Sequence, residues 1–191
     1  MTLFFVLTLS ALHAQKISFK IVIWGDSIGR MDVAHFRDKD SNDVYTIESK
    51  SLVKVLWIAR DGYSKFEAVC KGGKLLSSSH IEIENKKTKR STKVKFDGQA
   101  YQVNSLEQGN RNFTERPKCS DASIYFSDCK NVNRIFYLPD AGFYEVKHSD
   151  ANTIEFKSND GHRNVFLLEN GKVKAMEFHL SLATVYMTKI N

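Results

Sequence analysis

Residues 21–30 read IVIWGDSIGR, and two folds compete for them. Gly25-Asp26-Ser27-Ile28-Gly29 is a literal G-x-S-x-G. As a nucleophile elbow it needs a buried strand before the serine and a helix packed behind it. "KIVIW" supplies the strand. The stretch that follows, "RMDVAHFRD", alternates Met31, Val33 and His35 with Asp32 and Ala34, which is the period of a strand. The expectation is therefore a β-hairpin connection, with residues 17–24 and 28–36 paired antiparallel. Gly25 and Gly29 would relieve backbone strain there, and Trp24 would cover a barrel end.

Outward from this hairpin the same alternation recurs. Ile17, Phe19, Ile21 and Ile23 take every second position, and "VYTIES", "VKVLWIA", "KFEAVCK", "KLLSSSHIEIE", "TKVKF" and "QAYQV" follow. Turn chemistry separates them: "DKDSND", Asp61-Gly62, Gly72-Gly73 and Asp97-Gly98 all favour tight connections. Between Gln108 and Asn133 the period is lost, and Ser120-Asp121 could cap one short helix. Beyond it come "RIFYL", "FYEVKH", "TIEFKS", "RNVFLLE", "KVKAMEFH" and "ATVYMTK". Asn170-Gly171 is the strongest hairpin signal in the chain. No helical period is long enough for a crossover helix, so the sheet should be antiparallel. The predicted fold class is all-β, an antiparallel meander forming a curved sheet or incomplete barrel, with at most one or two short helices.

The 191 residues suit one domain. "LFFVLTLSAL" is an apolar run of signal-peptide length, followed by Leu12-His13-Ala14 as a cleavage pattern, although no Lys or Arg precedes it. Residues 1–14 are expected to be a signal peptide and 15–191 a single β-rich domain, exported to the periplasm or outside the cell. The run is too short to span a membrane. Net charge is +6, much of it from Lys86-Lys87-Thr88-Lys89-Arg90. That run reads as a solvated loop between strands, with an anionic surface as the alternative partner. No interleaved aromatics offer a base-stacking platform, which argues against nucleic acid. Of three cysteines, Cys119 and Cys129 stand ten apart in the irregular segment and are a disulfide candidate. Cys70 alternates in phase with Phe66 and Ala68, as a small buried hydrophobe.

Two constellations could carry chemistry. Ser27 with Asp160 and His162 has the chain order of a serine hydrolase, and Asp160-Gly161-His162 is similar to the closing block of G-D-S esterases. There, however, the acid and histidine stand three apart. His80, Glu82 and Glu84 occupy alternate positions on one strand face and could ligate a divalent metal. The competing reading makes that the solvent face, with Ile81 and Ile83 turned to the core. Neither pattern is complete, and no cofactor is indicated. The aromatics Phe126, Phe136, Tyr137, Phe143, Tyr144, Phe156, Phe166 and Phe178 would fill a barrel core. In an incomplete barrel some would instead line a concave apolar groove.

The tail "ASIYFSDCKNVNRIFYLPDAGFYEV", "NTIEFKSNDGHRNVFLLENGKVKAMEF" and "ATVYMTKIN", with the N-terminal strand–"WGDSIGRM"–strand unit, resembles a family of exported bacterial proteins catalogued as a domain of unknown function. The opening hairpin also looks like that of a broader, equally uncharacterised periplasmic group. The resemblance implies a β-rich exported domain and brings no catalytic residue or cofactor. The expected function is a non-catalytic structural or binding module of the cell envelope, holding an apolar small molecule or contacting an envelope component. The alternative is a serine esterase using Ser27.

Overall fold

The structure, a computed structural model, describes residues 14–55, 58–117, 120–127, 131–159, 161–180 and 182–190. The strands are β1 (Gln15–Ile23), β2 (Asp26–Arg37), β3 (Asp43–Val55), β4 (Ile58–Lys71), β5 (Lys74–Glu84), β6 (Lys87–Phe96), β7 (Tyr101–Ser105) and β8 (Gly109–Phe113). After an excursion come β9 (Arg134–Tyr137), β10 (Gly142–Glu145), β11 (Lys147–Asp150), β12 (Thr153–Lys157), β13 (Arg163–Glu169), β14 (Lys172–His179) and β15 (Thr184–Ile190). Thirteen of them form one antiparallel sheet in the order β11-β12-β13-β14-β15-β1-β2-β3-β4-β5-β6-β7-β8, while β9 and β10 pair separately. No helix occurs among the described residues.

Each strand's alternation turns its apolar set to one face. Phe19, Val33, Ala68, Val94 and Phe166 are all within 2 % of full burial. Side chains from both halves of the sheet share one interior, so the sheet curls. It does not close, because β8 and β11 are not paired with each other. The alternation predicted this curved, open architecture.

The hairpins follow the turn chemistry. Asn170 (φ 54°) and Gly171 (φ 77°) link Glu169 to Lys172, both in the left-handed region that a two-residue turn of this hand requires. Trp24 and Gly25 do the same between β1 and β2. The connection is thus residues 24–25 instead of the expected 25–27, and Ser27 lies inside β2, opposite Val22. The next residue, Ile28, is the extra one of a β-bulge, since Ile21 pairs with Gly29 and Val22 with Ser27. Gly29 serves close approach instead of strain relief: a Cβ there would stand 2.0 Å from the Lys50 carbonyl oxygen. Trp24 is 63 % exposed on the turn and not packed as the cover of a barrel end.

Two more expectations change. Asp61-Gly62 does not end a strand but sits within β4, where Val55 already pairs with Ile58. Lys87–Arg90 are not loop but the start of β6, and only Asn85-Lys86 form the turn.

The largest correction is the segment after β8. Its part up to Asn133, read as a polar excursion, instead buries Ala122, Ile124 and Tyr125, and it continues into Ile135, Phe136, Leu138 and Ala141, buried as well. The expected short helix at Ser120-Asp121 is a single turn, with the Ile124 N–H donating to the Ser120 carbonyl at 3.2 Å. This segment packs into the concave side of the sheet as a plug. Tyr125 meets Phe19 and Phe166 at centroid distances of 5.8 and 6.5 Å. The plug also ties the β8 edge to the β11–β12 side of the sheet. Arg111 of β8 donates to the Asp140 and Ala141 carbonyls. On the other side the Tyr144 hydroxyl donates to Asp140 at 2.6 Å and accepts from the Asn159 amide, just past β12, at 3.2 Å. Cys119 and Cys129, the disulfide candidate, lie outside the described residues, as does the proposed signal peptide up to His13.

Candidate functional site

Between plug and sheet remains a cavity of about 510 Å³, within the range of small-molecule sites. One wall is built by cross-strand rows. Ile47, Phe66, His80 and Thr92 stand opposite one another on β3, β4, β5 and β6. The next row outward is Ser49, Ser64, Glu82 and Arg90, and the third is Ser51, Gly62 and Glu84. The other wall is mainly apolar, with Phe156, Phe166, Phe178, Val185 and Met187 from β12–β15, beside Ser158, His162 and Asn164. The plug contributes Asp121, Tyr125, Tyr137 and Pro139.

His80, Glu82 and Glu84 therefore share a face, but it is the inner one. The sequence reading turned Ile81 and Ile83 inward. The reversal comes from a bulge: Val69 pairs with Ser77 and Cys70 with Leu75, leaving Leu76 as an extra residue. Side chains alternate with period two, so one inserted residue exchanges the faces beyond it.

His80 is 4 % exposed and stacks on Phe66, with ring centroids 4.2 Å apart. Its Nε2 lies 3.4 Å from the Ser64 hydroxyl, and its Nδ1 is buried without a partner. Desolvation, helped by the Arg90 charge, pushes its pKa down to about 4, so the ring is neutral at pH 7. Burial likewise raises the Glu82 carboxyl, against the opposing pull of Arg90. Arg90 Nε stands 3.8 Å from Glu82 and 3.4 Å from Glu107. On the plug, burial pushes Asp121 up to about 8, although the Leu138 and Ala122 amides favour its charged form. At neutral pH the depth of the cavity is thus polar in places and uncharged, and its charges sit at the mouth.

The nucleophile constellation does not assemble among the described residues. Ser27 is exposed on β2, and its hydroxyl makes no hydrogen bond to a histidine. His162 lines the cavity and Ser27 does not. Asp160 lies outside the described residues. No group of three His, Cys, Asp or Glu among the described residues has metal-binding geometry, the row of His80, Glu82 and Glu84 included. His148 and His179 are hydrogen-bonded near strand ends, to the Val132 carbonyl at 2.9 Å and to Glu177 at 3.1 Å. Of the eight singled-out aromatics, Phe136, Phe156 and Phe166 are buried, and Tyr137, Phe156, Phe166 and Phe178 also line the cavity.

Sequence reasoning missed Arg90, Ser64, Asp121 and Tyr125. For Arg90 a signal existed, since it is in phase with Thr92 and Val94, both inward. Asp121 and Tyr125 carried none, lying in a segment without period.

These features define a class: an open, β-barrel-like sheet whose interior is part plug and part cavity. The chain belongs to the family described as domain of unknown function DUF6134, whose model matches residues 19–190. Its fold is similar to a "Beta-barrel-like Protein of Domain of Unknown Function DUF1849 from Brucella abortus". That crystal structure matches with a TM-score of 0.62 over 94 % of this chain and 97 % of the other, at 10 % identity. No curated protein matches the chain.

Proposed function

We propose that the chain is a non-catalytic module of the cell envelope that holds an apolar small molecule in its interior cavity. The carrying observation is the cavity itself, faced by Phe156, Phe166, Phe178 and Met187 on one side and on the other by polar groups, Ser64 and the neutral His80 among them, with Glu82, Glu84 and Arg90 towards the mouth. Apolar ligands gain most from such a wall, and a few hydrogen-bonding groups orient them. The partnerless His80 Nδ1 adds weight, because an unmade buried hydrogen bond costs about 1–3 kcal/mol and a ligand group could relieve it. Export rests on the apolar run 3–12 and the Leu12-His13-Ala14 pattern.

Protein purified from cells should release an apolar small molecule on solvent extraction, read by mass spectrometry. The emptied protein should bind N-phenyl-1-naphthylamine saturably. Ser49→Trp, which fills the cavity from β3, should weaken that binding at least tenfold without lowering the melting temperature. Equal probe binding by the filled variant would sink the reading.

A further inference from the structure

In an antiparallel order the β1–β2, β3–β4, β5–β6, β7–β8, β12–β13 and β14–β15 connections all fall at one end of the sheet. The remaining connections of the sheet, 38–42, 72–73, 97–100, 151–152 and 170–171, fall at the other. Seven large apolar side chains are exposed among the described residues, and five belong to the first end. They are Trp24 (63 %), Leu52 (45 %), Leu106 (64 %), Leu180 (44 %) and Leu182 (92 %). None sits on a described connection of the opposite end. Single exposed hydrophobes are ordinary, but a run of them on neighbouring tips marks a contact surface. These tips are neighbours: Ile23 pairs with Val185, and Gly29 with Ser51, so β14–β15, β1–β2 and β3–β4 stand side by side.

Basic side chains continue the rim. Lys54, Lys86 and Lys87 are exposed and make no ion pair among the described residues. Arg60 and Lys89 share Glu84, at 3.3 and 3.8 Å. The cavity's outermost residues, Ser51, Glu84, His162 and Leu180, lie at this same end.

We propose that this end docks on an anionic lipid bilayer, with Trp24, Leu180 and Leu182 entering the boundary between headgroups and acyl chains. Lys54, Lys86 and Lys87 would lie over the lipid phosphates. A tryptophan on a tight turn suits that boundary, because its ring is apolar and its N–H polar. Lysines beside it are drawn by the surface potential of anionic lipid. Separate protruding tips enter a fluid surface more readily than they fit a rigid protein face. Docked this way, the cavity mouth faces the acyl layer, and an apolar molecule could pass without crossing water. The docking itself does not depend on what the cavity holds.

Sedimentation of the full chain with vesicles tests this, and the same set of proteins lacking residues 1–14 separates the rim's contribution from that of the apolar run. Binding to phosphatidylglycerol–phosphatidylethanolamine vesicles should exceed binding to phosphatidylcholine vesicles at least tenfold and weaken in 0.5 M salt. Trp24→Asn with Leu182→Ser should lose most binding while keeping the melting temperature, since asparagine suits the positive φ at position 24. With Trp57→Phe leaving Trp24 as the one tryptophan, its emission should shift to the blue on vesicle addition, and Leu182→Ser should lessen that shift. Lys86→Glu with Lys87→Glu should abolish the preference for anionic vesicles. Lys39→Glu with Lys172→Glu, at the opposite end, should change nothing. Rim variants that sediment like the unaltered chain, or equal binding to both vesicle types, would overturn the proposal.

Discussion

Phe66 and His80 face each other across β4 and β5 and stack at 4.2 Å between centroids, with their planes 18° apart. The stack seals the imidazole from water, which is why the ring stays neutral far below its ordinary range. The unfolded chain protonates this histidine near pH 6.5, whereas the folded protein holds it neutral down to about pH 4. Stability must therefore fall as pH drops through that window, by on the order of 2–3 kcal/mol from this residue alone. His80→Phe should remove that share of the slope. Urea unfolding of both proteins at pH 4, 5, 6 and 7 checks it, and parallel curves would refute it.

Asp121 acts with the opposite sign. Unfolded, it ionises near 3.8, and folded it stays protonated to about pH 8. Its penalty grows as pH rises between those values and is constant above. Asp121→Asn should gain stability relative to the unaltered protein steadily from pH 4 to 8. A difference in urea midpoints that is the same at pH 5 and pH 8 would contradict this.

The seam between the β8 edge and the plug depends on Arg111, whose guanidinium serves two plug carbonyls. Arg111→Ala leaves both without that donor and should cost about 1–3 kcal/mol. Both bonds come from the one Nη2, so lysine should restore part of the loss, its ammonium also carrying several N–H groups but on a more flexible and more strongly hydrated stem. Hydrogen exchange of the β9 and β10 amides should rise in the alanine variant ahead of those of β1–β5.

Glycines 29 and 171 separate two kinds of requirement. Gly171→Val forces a β-branched residue to φ near 77° and should cost about 1–3 kcal/mol. Gly29→Ala places a methyl against the Lys50 carbonyl and should cost about 2–3 kcal/mol, although its φ is ordinary. Thermal melts of the two variants check both; an unchanged melting temperature for Gly29→Ala would mean that β2 and β3 separate freely.

Much of the architecture was legible because its causes are local. Phe19, Ile21 and Ile23 alternate, Asn170-Gly171 accepts left-handed backbone, and no helical period competes, so an open antiparallel meander follows from neighbours in sequence alone. The G-x-S-x-G stretch could be read as hairpin for the same reason: what followed Ser27 alternated like a strand. The cavity wall was not legible, because the extra residue at Leu76 exchanges the faces of β5, and only pairing with β4 places it there. The plug was hidden for a different reason. Its Ile124, Tyr125 and Leu138 gain burial only from strands distant in sequence, such as β1 and β13. Local periodicity therefore determined that this chain is a meander, and long-range pairing and packing decided which side chains face its interior and what fills it.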